Sequence, residues 1–579
     1  MKNKLVILLG AIILGIAIFS CKKSFLDRPP QGAYSEASLS NAKGINTTVI
    51  AAYALLDGWS ENGWNNAAGN PWPVAGSDWI WGSVTSDDAY PGSQPNDQGG
   101  IESANRYEFL PDDPYYRAKF QQCYAGIGKT NVSIRLINAS TDLSDADKKQ
   151  LTGEAKFLRA HYHFEAYKMW INVPFIDENV TEYRQKNDVD IFPKIEADFK
   201  AAIEGLAEVS STSSGRATKG AAQAYLARAY MFVGKYAEAK PLLQAVITSG
   251  KYSLVDNFHD NFDASKQNNS EMIFAYKASV NDGAGESANG NWGDRLNAPH
   301  GNAPVTQCCG FHQPSQNLVN AFRTDANGLP LFTTFNNSLA DFAVDNFDPR
   351  LDWTVGRTGE PYLDWGPHKD DWIRDGSYCG YFAPKKNLFH KAQKGTLSTA
   401  SGWSTAPNAI DIAFIRYSDV LLMAAECEIE AGGDLSLART YINQVRTRAG
   451  KYVQGPGTSE ADISNTLTGG AGIVNGTKYK VGTYTTAFAN QAEARQALRW
   501  ERRLELAMEG YRFFDLRRWK DINTLVDFLA VEKTRRVQLF GAAQVPTADK
   551  QLKYYPIPSV EIDLSKINGV AQLTQNPGY

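Results

Sequence analysis

The chain runs to 579 residues, 43% of them hydrophobic and 21% charged, with a formal net charge of −4. Length alone reads as two to four domains around a large buried core. The near balance of charge supplies none of the basic surface that nucleic acid demands, and the composition is that of an ordinary globular protein.

Lys2 and Lys4 precede an apolar run from Leu5 to Phe19 that ends at Ser20-Cys21. Crossing a bilayer takes about 20 apolar residues, so this shorter run reads as a secretory leader over residues 1–20, and its removal takes the net charge to about −6. Ile18-Phe19-Ser20-Cys21 looks like a bacterial lipobox, with Phe19 bulkier than that motif usually has; Cys21 would be acylated and become the new N-terminus. Residues 21–40, with Pro29-Pro30, read as a lipid-anchored tether to the membrane. Five cysteines remain: Cys123, Cys308, Cys309, Cys379 and Cys427. An odd number without CxxC spacing indicates neither a disulfide framework nor a zinc site. The adjacent Cys308 and Cys309 would form a vicinal disulfide in an oxidising compartment, or stay two plain thiols.

A helix is expected from Asn46 to Leu56. From Trp59 to Asp113 periodicity fails, although Trp59, Trp64, Trp72, Trp79 and Trp81 fall within 23 residues. A stretch that long without regular structure is functional or disordered, and its tryptophans argue for the first. Helices resume at Tyr116–Ala139 and Asp145–Trp170. Leu158-Arg159-x-x-Tyr162 follows a tetratricopeptide first helix, with Arg where that repeat prefers Gly. The best repeat is Ala217–Val246: Leu226-Ala227-x-x-Tyr230, the turn Gly234-Lys235-Tyr236, and Ala239-x-x-x-Leu243 stand at the repeat's separations. A further pair spans Asp411 to Arg448 around Gly432-Gly433. The fold class is therefore mostly α, with degenerate tetratricopeptide-like helix pairs as a scaffold and a few short strands such as Glu271–Tyr276. Residues 41–250 form an N-terminal helical part with a Trp-rich loop at 58–114. Residues 251–579 form a C-terminal part with excursions at 251–410 and 452–490.

From Glu493 to Trp519, Ala497, Trp500, Leu504, Ala507, Tyr511 and Phe514 fall on one apolar helical stripe. Glu501, Glu505 and Glu509 stack at i, i+4 beside it and need cations, for which Arg502, Arg503 and Arg512 are placed. Gly510 should interrupt the helix. The end of the chain, from Tyr554-Tyr555-Pro556-Ile557-Pro558 to Tyr579, should lie extended over the body.

His161 and His163, at i, i+2, point to different sides of their helix and make no metal pair. No phosphate loop, dinucleotide fingerprint or nucleophile elbow occurs, and neither cofactor nor metal is indicated. Asp87-Asp88, Asp112-Asp113 and Asp370-Asp371 are carboxylate pairs of unknown separation. The informative constellation is aromatic: flat rings on glycine-spaced loops, ringed by amides, carboxylates and Arg, suit a polyhydroxylated ligand. The candidates are Trp72, Trp79, Trp81, Tyr90, Trp292, Arg295, Trp353, Trp365 and Trp372.

Glu501-Arg502-Arg503-x-Glu505-Leu506-Ala507-x-Glu509-Gly510-x-Arg512 and Asp515-Leu516-x-Arg518-Trp519 resemble the C-terminal helix of the SusD/RagB family of outer-membrane lipoproteins. So do the lipobox, the Leu158-Arg159-Ala160 and Arg416 to Glu426 helices, Gly310-Phe311-His312-x-Pro314-Ser315-Gln316, and the closing Gln575-Asn576-Pro577-Gly578-Tyr579. Thr85-Ser86-Asp87-Asp88-Ala89-Tyr90 resembles a segment that precedes a ligand-face loop in that family. The resemblance implies a surface-exposed, non-catalytic glycan-binding lipoprotein that serves a SusC-type TonB-dependent transporter. RagB-like peptide uptake is the nearer alternative, and a loop-borne glycoside hydrolase or a protein-binding scaffold the more distant ones.

Overall fold

The computed structural model describes residues 36–58, 67–209, 215–285, 288–305, 308–399 and 407–579. The leader, Cys21, most of the tether, Trp59 and Trp64 lie outside them. Asn41 accepts a hydrogen bond from the Gly44 N–H and so starts α1 (Ala42–Ala54) ahead of the expected Asn46, because the cap and not the apolar stripe sets a helix start. Asp113 and Ser144 cap α2 (Pro114–Ala139) and α3 (Asp145–Trp170) in the same way. Gly126 of α2 lies against the Tyr162 ring of α3, where a Cβ would stand 2.5 Å from it, so the absence of a side chain sets how closely these helices approach. α4 (Phe192–Gly205) packs on α3 and was not read from the sequence.

The best repeat forms α5 (Lys219–Phe232) and α6 (Tyr236–Thr248), with Gly234 at φ +79° in the turn between them. α7 (Tyr417–Glu430) and α8 (Leu435–Ala449) form the other pair, and α7 packs on α6 although the 251–410 excursion separates them in sequence. Four strands close the loops onto this scaffold: β1 (Ala89–Gly92), β2 (Met272–Tyr276), β3 (Phe311–Pro314) and β4 (Ile412–Arg416). β1 pairs antiparallel with β3, and β2 with β4, so the ends of the long excursion are pinned together. A small sheet of 323–324, 346–347, 477–480 and 471–474 joins that excursion to the 452–490 one.

One hydrophobic core runs from Ala52 to Leu573 through both halves of the chain. A second, built mainly from Phe258, Trp353, Tyr362, Trp365, Trp372, Leu388 and Phe389 of the 251–410 excursion with Ile463 joining from the 452–490 one, makes the first excursion a packed body and not a set of surface loops.

The amphipathic segment divides as α9 (Gln491–Leu506) and α10 (Arg512–Trp519), followed by α11 (Ile522–Arg535). Gly510 sits between the first two at φ +77°, and a Cβ there would stand 1.9 Å from the Ser77 carbonyl oxygen. Its carboxylates are buried, but the cations beside them are not the ones expected. Glu505 meets Arg350 at 2.9 Å, Arg416 at 3.0 Å, and Arg448. Glu501 pairs with Arg350 and Arg446, each at 2.7 Å, while Glu509 pairs with Arg416 and Lys386, each at 2.8 Å. Arg502 turns instead to Asp419 and Asp515, and Arg503 and Arg512 to Asp87 and Asp88. A step of one residue rotates a side chain by about 100° around the helix, so neighbours in sequence serve different faces.

The C-terminal segment does not lie over the body but threads into it. Tyr555 and Ile557 are fully buried, the Trp170 indole N–H donates to the Pro556 carbonyl at 2.8 Å, and the Asn576 amide donates to the Trp170 and Tyr555 carbonyls. Prolines that cannot donate, and an amide that bridges two orphan carbonyls, let an irregular segment enter a core.

Candidate ligand site

The site begins at the clamp under it. Arg503 meets Asp87 and Asp88 at 2.9 Å, and Arg512 meets Asp87 at 2.8 Å. Burial alone would raise the Asp87 carboxyl, but Arg503 and Arg512 bring it below its ordinary value; Asp88 is raised by burial with Asp87 beside it. This pair ties the 85–90 segment to α9 and α10 and faces no solvent.

β1 follows the clamp, and Ser93 donates its N–H to the Gly310 carbonyl at 2.6 Å. Beyond it the loop carries Ser93, Asn96 and Gln98 at φ +60°, +62° and +63°. Non-glycine residues in the left-handed region cost about 1 kcal/mol or more each and persist where surrounding structure fixes them, often at binding sites. Here Gln98 is fixed by its Oε1, which accepts from the Trp72 indole N–H at 3.0 Å and from the Tyr115 hydroxyl. The Arg295 guanidinium carbon lies 4.7 Å from the Trp292 ring centre and 6.0 Å from that of Trp72. Burial lowers Arg295 to about 10, which still leaves a cation at neutral pH. Trp292 is half-buried. The Arg295 guanidinium thus lies near both indoles from beneath, and Trp292 is the ring of this cluster that reaches the surface, where its face can stack on a ligand.

The turn that presents Trp292 is held from below. Trp79 donates its indole N–H to the Gly293 carbonyl at 3.0 Å, and Asp294 accepts from Ser77 and from Asn291. A Cβ on Gly293 would come within 2.5 Å of the Ala75 Cβ, so glycine is what lets the 72–79 and 291–295 segments touch.

Of the nine ligand candidates, the structure brings Trp72, Trp292 and Arg295 together, but of these three only Trp292 is half-exposed: Trp72 is 5% and Arg295 3% exposed, and Trp72 is part of the main core. The other six are core as well. Trp79 and Trp81 are 1% exposed, Tyr90 and Trp353 0%, Trp365 7% and Trp372 4%. Their polar atoms are committed inside: Trp81 donates to the Pro73 carbonyl, Tyr90 to Glu532, Trp353 to the Tyr452 carbonyl and Trp365 to the Phe389 carbonyl. A ring whose faces are packed and whose N–H is spent within the fold gives a ligand nothing to stack on. Gln98, Tyr115 and Ser77 were missed by sequence reading. For Gln98 the signal lay in the Gly- and Asn-rich loop that follows the 85–90 segment; Tyr115 and Ser77 carry none.

His163 Nδ1 lies 3.0 Å from the Arg159 carbonyl, and Nε2 accepts from the Ile176 N–H at 3.1 Å, so both ring nitrogens serve the helix packing. The sulfurs of Cys308 and Cys309 are joined, while Cys123, Cys379 and Cys427 are free and buried. No helix among the described residues is long and apolar enough to cross a membrane.

Comparison with known proteins agrees in both halves. The SusD family model matches residues 270–579, and a second, described as starch-binding associating with outer membrane, matches residues 73–231. SusD-like protein P25 of Formosa agariphila is 23% identical over 544 residues, 88% of each chain. A SusD-like protein of Bacteroides ovatus is 26% identical over 294 residues, 48% of this chain and 50% of that one. Surface glycan-binding protein A of Bacteroides thetaiotaomicron, solved in complex with laminarihexaose, superposes with a TM-score of 0.65 at 20% identity, covering 93% of this chain and 99% of that one. A laminarin binding SusD-like protein gives 0.64 at 22% identity, with coverage of 93% and 100%. The 270–579 match takes in more than half the chain, including α9, α10 and the buried C-terminal segment, and on that ground the chain belongs to the SusD family.

Proposed function

We propose that this protein is a cell-surface glycan-binding lipoprotein of the outer membrane, anchored through Cys21, which captures an oligosaccharide or polysaccharide and passes it to a SusC-like TonB-dependent transporter without cleaving it. The observation that carries this reading is the half-exposed Trp292, backed by Arg295 and Trp72 beside the left-handed 93–98 loop. Structural neighbours described, one as laminarin binding and one as a complex with laminarihexaose, support the ligand class. Of the three carboxylate pairs a hydrolase could use, Asp87 and Asp88 are buried and spent on Arg503 and Arg512.

A shallow stacking face gives about 4 to 8 kcal/mol, so the expected dissociation constants are micromolar to millimolar. Trp292→Ala should weaken glycan binding by about 10- to 100-fold, the worth of about 1.5 to 3 kcal/mol for one aromatic face, and leave the unfolding midpoint in place because Trp292 belongs to neither core. Calorimetry against a glycan panel that includes laminarin, with a reducing-sugar assay alongside, decides the matter. Sugar release would favour the hydrolase, and tight peptide binding without glycan binding the RagB-like role. Anchoring has its own test: a clickable palmitate analogue should label the wild type, and Cys21→Ala should be unlabelled and released from membranes.

A further inference from the structure

We propose that the reduced form of the Cys308–Cys309 pair, together with His300, binds one thiophilic d10 cation such as zinc. The three donor atoms, one from each side chain, lie within 4.8 Å of one another. Zinc holds sulfur at about 2.3 Å and imidazole nitrogen at about 2.0 to 2.1 Å in a tetrahedron, which puts its donors about 3.6 to 3.8 Å apart, a spacing inside the range these three atoms span. The backbone around them is fixed independently: Cys309 donates its N–H to the Leu296 carbonyl, Gly310 to the Ala298 carbonyl and His300 to the Trp372 carbonyl, each at 2.8 Å. No CxxC spacing announces the site, because the fold and not the sequence spacing brings His300 to the two cysteines.

The charged groups that face His300 are Arg374 and Asp97. Asp97 itself is paired with Arg374 at 2.8 Å, which leaves three protein ligands and one coordination position for water. His300 and Cys309 are half-buried, so an ion can reach them. The other thiols do not compete: burial pushes Cys123 up to about 12 and raises Cys379 and Cys427 as well.

The chemistry balances with an external reductant of the thiol or phosphine class. The sulfur–sulfur bond takes two electrons and two protons and becomes two thiols; a thiol reductant gives up its own protons and leaves as its disulfide, while a phosphine, with one water supplying the oxygen and both protons, leaves as its oxide. The cation then displaces both thiol protons to solvent. Binding is thereby confined to the reduced state, next to the loop that carries Ser93 and Asp97.

The full soluble chain, reduced with a phosphine under anaerobic conditions and freed of reductant, is titrated with zinc against a chromophoric chelator and, separately, with cadmium while the sulfur-to-metal absorption is followed. One equivalent should bind to the reduced protein and none at that affinity to the oxidised one. His300→Ala, which keeps both cysteines, should weaken binding at least 10-fold, and Cys308→Ser with Cys309→Ser should remove the cadmium band. Equal binding by oxidised and reduced protein, no binding by either, or full binding by His300→Ala would each overturn the proposal.

Discussion

Glu505→Ala is expected to cost about 3 to 5 kcal/mol of stability, the usual penalty for removing one member of a buried ion network. Around it, the carboxylates of Glu271, Asp348, Glu501, Glu505 and Glu509 face the cations of Arg350, Arg416, Arg446, Arg448 and Lys386, five against five. Burial opposes charge on Glu505, yet Arg448, Arg416 and Arg350 together hold it well below the usual carboxylate range. Deleting it leaves three guanidiniums sharing one carboxylate fewer in a region where Arg350, Arg416 and Glu505 are 0 to 1% exposed. With about 2.1 cal/mol/K of unfolding entropy per residue, the loss corresponds to a fall of about 3 °C in the unfolding midpoint, and more clearly to a lower urea midpoint. Glu505→Gln, which keeps the volume and loses the charge, should fall nearly as far. Arg184→Ala, which breaks the exposed pair with Glu182, should leave the midpoint where it was. An unchanged midpoint for Glu505→Ala would mean that the network contributes no net stability.

That network also marks the limit of what the sequence discloses. The stripe of Ala497, Leu504, Ala507 and Phe514 was legible because helical periodicity is a local property, and all four are buried. The partners of Glu501, Glu505 and Glu509 were not, because they arrive from 348–350, 386, 416 and 446–448, which only the fold brings together. Local spacing favoured Arg502, which faces Asp419. The repeats at α5–α6 and α7–α8 were visible by the same periodicity. Aromatic loops failed for a different reason: a Gly- and Asn-rich stretch reads alike whether its rings face water or pack into a core of their own, as Trp353, Trp365 and Trp372 do. Trp292 differs from these in a way sequence alone does not record, since the buried turn around it, fixed by Trp79 and Asp294, leaves that one ring half-exposed.

Acid should unfold this protein while many of its carboxylates are still charged. His161, His163, His259, His312 and His368 are buried, and burial is the largest cause lowering each imidazole. His163, His259 and His312 fall to about 3 and His368 to about 4, while His161 lies well below its ordinary value. Charges add to burial: Lys168 and Lys119 for His161, Arg159 for His163, His390 and Lys385 for His259, and Lys385 for His368. Because the folded value lies below the unfolded value of about 6.5, the unfolded chain takes up protons first as pH falls. The contribution is therefore intact above about pH 6.5 and is lost between there and about pH 3 to 4. At pH 4.5 each such histidine withdraws about 2 to 3 kcal/mol, and together they reach the scale of the whole net stability of about 5 to 15 kcal/mol. Buried carboxyls raised above their ordinary values, such as Asp294 and Asp411, act in the opposite sense and offset part of the loss. Urea midpoints taken from pH 7 to pH 4.5 should fall steeply, and imidazole proton resonances of the folded protein should show these five rings untitrated down to pH 5. Midpoints that stay level to pH 4.5, or ring signals that titrate near 6.5 in the folded state, would mean that protons enter these sites without unfolding the body.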